Sequence, residues 1–409
     1  MQTRRIFLKN GALALVSLGF APSFLARTAS AETRRQRVLV AIFQRGAVDG
    51  LNMVVPFGDN AYYAARPTIA IRQPRGEGGA LDLDEFFGFH PRMAPLHPWY
   101  QQGQLAIVHA CGSPNATRSH FDAQDFMETA TPGAKSTQDG WLNRYLQARR
   151  VEEQTPLRAV SLTPQLPRSL QGTAPAIAMT QIKRFDLRAA AGMQASFEEQ
   201  YAAAADEALG KTGGEAFEAI KMLRTVGGKR YQPENRARYP RSPFGRALTQ
   251  VAQLIKANVG LEIAFAEMGG WDTHFSQGGD VGQLATRLND FSSGVAAFAR
   301  DLGSRLQDVV ILTMSEFGRT VNENGSRGTD HGHGNVMLAL GGNVRGGKVY
   351  GKWPGLAPEQ RFEGRDLAIT TDFRDVFGET VVRHLGIRDP SHIFPGYTIS
   401  PENFVGILG

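Results

Sequence analysis

Four continuous apolar runs constrain this chain most: 38–43, 105–110, 263–266 and 309–314. Each has the length of a strand and none alternates with polar residues, so each is expected to be buried on both faces. Strands of that kind belong in a largely parallel sheet covered by helices. Amphipathic helical patterns lie between them at 248–257 and 281–306, and 189–224, rich in Ala, Glu and Leu, is read as one or two helices broken at Gly213-Gly214. The expected fold is α/β, a mostly parallel sheet sandwiched by helices, with a helical and basic insertion around 189–245. Within it, 227–243 gathers Lys229, Arg230, Arg236, Arg238 and Arg241 among prolines. That stretch is read as a solvated loop or, alternatively, as a lid that attracts an anionic substrate.

Each apolar run leads directly into a polar or glycine-rich loop, at 45–50, 112–120, 269–274 and 315–319. Parallel sheets bind ligands beyond the carboxyl ends of their strands, so the four loops are expected to converge on one crevice. Three clusters carry the chemistry: Gly269-Gly270-Trp271-Asp272-Thr273-His274, Ser315-Glu316-Phe317-Gly318-Arg319 and Gly328-Thr329-Asp330-His331-Gly332-His333-Gly334. Carboxylate oxygen and imidazole nitrogen are ligands for zinc and related divalent ions, and glycine lets the backbone approach an ion closely. Asp330, His331 and His333 form the most specific of these clusters. Asp272 and His274 fall on the same side of an extended segment. Glu316 ends a strongly apolar strand, where a carboxylate needs a partner; Arg319 could be that partner, or an ion could.

Two further positions have competing readings. Asp49 precedes Gly50, which suits a turn, yet it also follows the first strand and could bring a carboxylate to the crevice. Ser119, with Asp122 three positions on, resembles a capping box with Asp where Glu or Gln is preferred. The same hydroxyl at a helix N-terminus sits where anions bind well, and it becomes a nucleophile if a metal lowers its pKa. His90, His97, His109, His384 and His392 stand alone and are read as structural.

The N-terminus carries Arg4-Arg5 in a twin-arginine pattern, an apolar stretch over 11–25 and a small-residue end at Ala29-Ser30-Ala31. About the first 31 residues are therefore expected to be a leader, handed to the twin-arginine translocase and removed, with the rest of the chain periplasmic. The apolar stretch is short for a bilayer span and holds Ser17 and Pro22, which makes an uncleaved anchor the lesser reading. Of the net charge of +6, Arg4, Arg5, Lys9 and Arg27 lie in the leader without a compensating acid, leaving +2 for 32–409. That balance gives no footprint for nucleic acid. One cysteine, Cys111, excludes an internal disulfide framework.

The motifs in their order, Arg45-Gly46-Ala47-Val48-Asp49-Gly50, Ser119-His120-Phe121-Asp122, Gly-Gly-Trp-Asp-Thr-His, Ser-Glu-Phe-Gly-Arg-Thr and Asp-His-Gly-His-Gly behind a twin-arginine leader, resemble an exported bacterial domain-of-unknown-function family, number fifteen hundred and one. That family is similar to a distant branch of the alkaline phosphatase and sulfatase superfamily. The resemblance spans 38–386 and implies an alkaline-phosphatase-like α/β domain over 32–409. It implies a metal site of Asp49, Asp272, His274, Glu316, Asp330, His331 and His333, with Ser119 as nucleophile; His120 and Arg319 are expected as further catalytic groups. Thr371-Asp372 and the residues after it resemble the threonine-aspartate helix that ends sulfatase-like domains. Three departures stand against it. Asp272 and His274 are closer in sequence than that superfamily's first metal pair, Glu316-Phe317 replaces its usual Asp-His, and Cys111-Gly112-Ser113-Pro114 does not form the formylglycine signature of sulfatases.

The expected function is an exported hydrolase or transferase acting on phosphate or sulfate esters, small or polysaccharide, with one or two zinc, manganese or calcium ions. The alternative is a non-catalytic binding or assembly protein that keeps the fold and one structural ion.

Overall fold

The apolar runs are the central strands of a nine-stranded sheet. The computed structural model describes residues 36–149, 155–184, 218–219, 221–228 and 230–409; the leader and most of the helical reading at 189–224 lie outside them. In chain order the strands are β1 (Val38–Gln44), β2 (Leu105–Gly112), β3 (Ala159–Ser161), β4 (Ile177–Ala178), β5 (Ile263–Met268), β6 (Val309–Met314), β7 (Asn335–Gly341), β8 (Lys348–Tyr350) and β9 (Thr371–Asp372). They are ordered β8-β2-β7-β6-β1-β5-β3-β4, with β9 also on β2. Every pairing is parallel except those of β7, which runs against both β2 and β6.

Successive side chains on a strand point to opposite faces, and here each face meets its own core. Val38, Val40 and Ile42 of β1 join one cluster with Phe244, Leu248 and Val251 of α3 (Pro243–Lys256) and Leu284, Leu288 and Phe291 of α4 (Gln283–Leu302). Leu39, Ala41 and Phe43 join the other, with Met127 of α1 (His120–Thr129), Trp141 and Tyr145 of α2 (Trp141–Ala148) and Phe373 and Phe377 of α5 (Phe373–Glu379). Full burial of β1, β2, β6 and β7 accounts for the absence of polar alternation in those strands.

The reversed strand β7 matters for the site. It begins at Asn335, opposite Cys111 near the end of β2, so the connection 315–334 leaves β6 and returns at the same edge of the sheet. Glu316, Arg319, Asp330 and His331 are thereby kept at the carboxyl ends of the parallel strands.

Two helix boundaries differ from the pattern-based expectation. α3 starts earlier, because the Ser242 hydroxyl accepts from the Gly245 N–H (3.0 Å) and Pro243 fits the first turn. α4 stops at Leu302, where Gly303 at φ 55° turns the chain. The basic stretch has no helix or strand over 230–242. It is pinned by one buried carboxylate, Asp301, which accepts from the Tyr231 and Tyr239 hydroxyls, the Glu234 N–H and Lys256. Asp301 is 18 residues along α4 from Gln283, roughly 27 Å at 1.5 Å per residue, whereas Gln283 bonds the Phe275 carbonyl beside the site. The loop is therefore anchored at the far end of that helix, which removes the physical basis for the lid reading.

The isolated histidines at 90, 97, 109 and 384 each place Nε2 against a backbone carbonyl, of Gly279, Asp82, Val54 and Val38 respectively. No helix among the described residues is long and apolar enough to cross a membrane.

Candidate metal centre

Three histidines turn the same ring nitrogen toward one carboxylate. His120 opens α1 and points Nδ1 at Glu316 Oε1 (2.8 Å). His274, on the loop after β5, points Nδ1 at Asp330 Oδ1 (3.0 Å), and His331 points Nδ1 at the Arg118 carbonyl (2.8 Å). These acceptors have no hydrogen to give, so each Nδ1 carries a proton, which leaves each Nε2 to face Asp272 or a cation. The three Nε2 atoms lie 3.6, 3.0 and 3.4 Å from Asp272 Oδ1, for His120, His274 and His331 respectively. The His274 and His331 Nε2 atoms are 3.0 Å apart, an unfavourable meeting of lone pairs unless a cation or proton lies between them.

The donor set suits a divalent ion. Zinc bound tetrahedrally at about 2.0–2.1 Å puts its ligand atoms roughly 3.3 Å from one another, near the spacings around Asp272. His120, Asp272 and His331 offer ligand atoms all within 4.8 Å of one another, and His120 Nε2 is buried without a hydrogen-bond partner. Outward Nδ1–H bonds to carboxylate and carbonyl oxygens are the usual support of metal-binding imidazoles.

Glu316 sits behind this set. Its buried Oε1 accepts from His120 Nδ1, the Gln124 side chain and the Gly46 N–H, each at 2.8 Å, and Oε2 accepts from the Ser315 hydroxyl at 3.0 Å. Burial opposes its ionisation, but these donors outweigh it and hold the carboxyl below the ordinary range. The hydrogen bond to Glu316 in turn raises the His120 pKa against burial. His331 goes the other way, lowered by burial despite its bond to the Arg118 carbonyl.

Arg319, expected as a catalytic group, is wholly buried and works as a clamp. It donates to the carbonyls of Gly46, Ala47, Trp271 and Thr329 and to Asp272 Oδ1 at 2.6 Å, tying together the loops after β1, β5 and β6. Burial works against the Asp272 charge, and Arg319 overcomes it to hold that carboxyl below its usual value.

The remaining predicted residues are distributed around this centre. Asp49 is fully buried in an ion pair with Arg66 (2.6 Å) and accepts from Gln277 on the same oxygen (2.6 Å). Asp330 holds His274 from outside. His333 lies apart from His331 because the chain bends there; it stacks on Phe362 at 4.1 Å, and burial lowers its pKa to about 4. Ser119 caps α1, its hydroxyl 3.5 Å from the Asp122 N–H. Among the described residues no histidine or carboxylate side chain hydrogen-bonds that hydroxyl. Arg118, Gln124 and Gln277 support the centre without having been singled out, since their roles depend on a backbone carbonyl or on amides that carry no sequence pattern of their own.

A family model matches residues 36–392, that of the protein of unknown function DUF1501. The chain belongs to that family. No curated protein matches it. Among solved structures it is similar to the PsFucS1 sulfatase from Pseudoalteromonas sp., with a TM-score of 0.39 and 12% identity over 94% of this chain and 72% of that one. It is also similar to the phosphonate monoester hydrolase of Agrobacterium radiobacter, with a TM-score of 0.33 and 11% identity over 90% of this chain and 79% of that one.

Proposed function

We propose that this DUF1501 chain is a metal-dependent hydrolase of anionic phosphate or sulfate esters. The observation that carries the reading is the convergence of the His120, His274 and His331 Nε2 atoms on Asp272 Oδ1 at 3.0–3.6 Å. His120, Asp272 and His331, whose ligand atoms lie within 4.8 Å of one another, would hold a divalent cation with His274 Nε2 beside them; the ion when bound would supply positive charge for ester oxygens and lower the pKa of an attacking hydroxyl or water. Glu316, Asp330 and the Arg118 carbonyl fix the imidazole tautomers. Arg319 fixes the Asp272 carboxylate and the three loops that present it.

Ser119 lies next to His120 and accepts the Asp122 N–H, so its own proton is not used by the cap. That favours Ser119 as the nucleophile, with a water as the second candidate. The N-terminal twin-arginine pattern supports passage through the translocase and a periplasmic location, and export of a fusion carrying residues 1–31, with and without Arg4 and Arg5 replaced by Lys, tests both.

Hydrolysis is tested with aryl phosphate monoesters, phosphate diesters and sulfate esters offered to protein loaded with zinc, manganese or calcium, beside His331→Ala and Ser119→Ala. Turnover lost in His331→Ala supports the reading, and additional loss in Ser119→Ala assigns the nucleophile. No turnover of any ester by protein shown to contain metal turns the account to a binding protein with a structural ion.

A further inference from the structure

Arg287 lies beside this centre and is not used by it. It projects from α4 against the loop 269–276, with its guanidinium packed on Gly270. A Cβ built on Gly270 would stand 2.5 Å from Arg287 Cζ and 2.7 Å from Nη2. The buried Nε has no hydrogen-bond partner, and among the described residues no carboxylate pairs with this arginine. The two other arginines that bond to this loop differ: Arg45 and Arg319, both in contact with Trp271, are each paired with an acid. A buried donor left unmade is costly, so an unpaired guanidinium at the edge of a site is a place for a ligand anion. Position 270, at φ 87°, favours glycine, and the missing side chain is the space the guanidinium occupies.

The placement gives the reach. Arg287 Cζ is within about 4 Å of the Gly270 Cα, and two residues span at most about 7 Å, so the guanidinium lies within roughly 11 Å of the Asp272 Cα. One turn earlier on the same helix face, Gln283 holds the Phe275 and Ser276 carbonyls. The Phe275 ring beyond is 68% exposed, which leaves an apolar surface beside the same loop.

We infer that Arg287 and Gly270 form an anion subsite for a substrate whose organic portion carries a second acidic group, phosphate, sulfate or carboxylate, several ångströms from the ester held at the metal centre. This rests on the metal-dependent reading above and narrows it to polyanionic esters.

The test is calorimetric titration of zinc-loaded protein with hexane-1,6-diylbisphosphonate and with hexylphosphonate, neither of which has an ester bond to cleave. The wild type is expected to bind the bisphosphonate at least ten-fold more tightly. Arg287→Gln should remove that advantage while leaving hexylphosphonate affinity within two-fold and thermal unfolding unchanged; Gly270→Ala, whose Cβ at φ 87° would displace the guanidinium, should remove it with hexylphosphonate affinity within two-fold and a lowered unfolding temperature. Equal affinities in the wild type, equal weakening of both ligands by Arg287→Gln, or binding of neither ligand would overturn the subsite. Metal content, measured on the same samples, separates this from the parent reading: a chain without metal defeats the hydrolase, while the Arg287 dependence of bisphosphonate binding still decides the subsite.

Discussion

Asp49→Asn separates a buried structural carboxylate from a metal ligand. In the native chain the Arg66 guanidinium is fully buried and donates to Asp49 Oδ2 and Asn52 Oδ1 at 2.6 Å and to the Thr320 and Val321 carbonyls at 2.9 Å. Only Asp49 among those acceptors carries charge, so the substitution strands a cation in the interior. Breaking a buried pair from one side costs about 3–5 kcal/mol, a large fraction of the roughly 5–15 kcal/mol that holds a typical protein folded. Urea unfolding should show a midpoint lowered accordingly with an unchanged slope. Metal content per folded molecule should stay at the wild-type level, because Asp49 Oδ2 is taken by Arg66 and Gln277 and the close ligand set is His120, Asp272 and His331. Replacing both partners, Asp49→Leu with Arg66→Met, should recover much of the loss, since no charge then stays unpaired. Wild-type stability together with lost metal in Asp49→Asn would refute this reasoning and return Asp49 to the ligand set.

Glu316→Gln keeps the side-chain shape but removes the charge behind His120, and should weaken metal binding about 10–100-fold, read by competition with a chelating dye; unchanged affinity would deny Glu316 its supporting role. Arg319→Lys keeps the charge but cannot serve four carbonyls and Asp272 together, so metal affinity and thermal stability should fall together. His90, His109 and His384 are buried neutral, with pKa values lowered by burial to about 4. The unfolded chain takes up those protons below about 6.5 and the folded chain does not until about 4, so their contribution is complete above pH 6.5 and is lost as pH falls toward 4. Each is worth on the order of 3 kcal/mol, and stability measured across that window should drop in the wild type and less in His109→Gln.

The strands and loops that build the site were legible because burial on both faces writes a continuous apolar run, and because loops beyond parallel strands share one edge. Asp272 and His274 meet as the extended spacing suggested. His331 and His333 do not, because a bend breaks that spacing where Gly332 lies close against the Arg319 backbone. The partnership of Asp49 with Arg66 was hidden by a competing local signal, the Asp-Gly turn. His120 was singled out as a catalytic group, yet its Nε2 faces Asp272; only the fold brings Glu316, 196 residues away, to its other nitrogen. Strands of two or three residues such as β4, β8 and β9 carry too few side chains for any periodicity, and the reversal of β7 leaves no mark in its composition.

The most direct test is metal content of protein purified without chelator, by inductively coupled plasma mass spectrometry, for the wild type and for the double variant His120→Ala with His331→Ala. The account predicts at least one equivalent of a divalent ion in the wild type and little or none in the double variant, with both folded by circular dichroism. An ion-free wild type that takes up no added zinc, manganese or calcium, or a double variant that keeps its full complement, would contradict it.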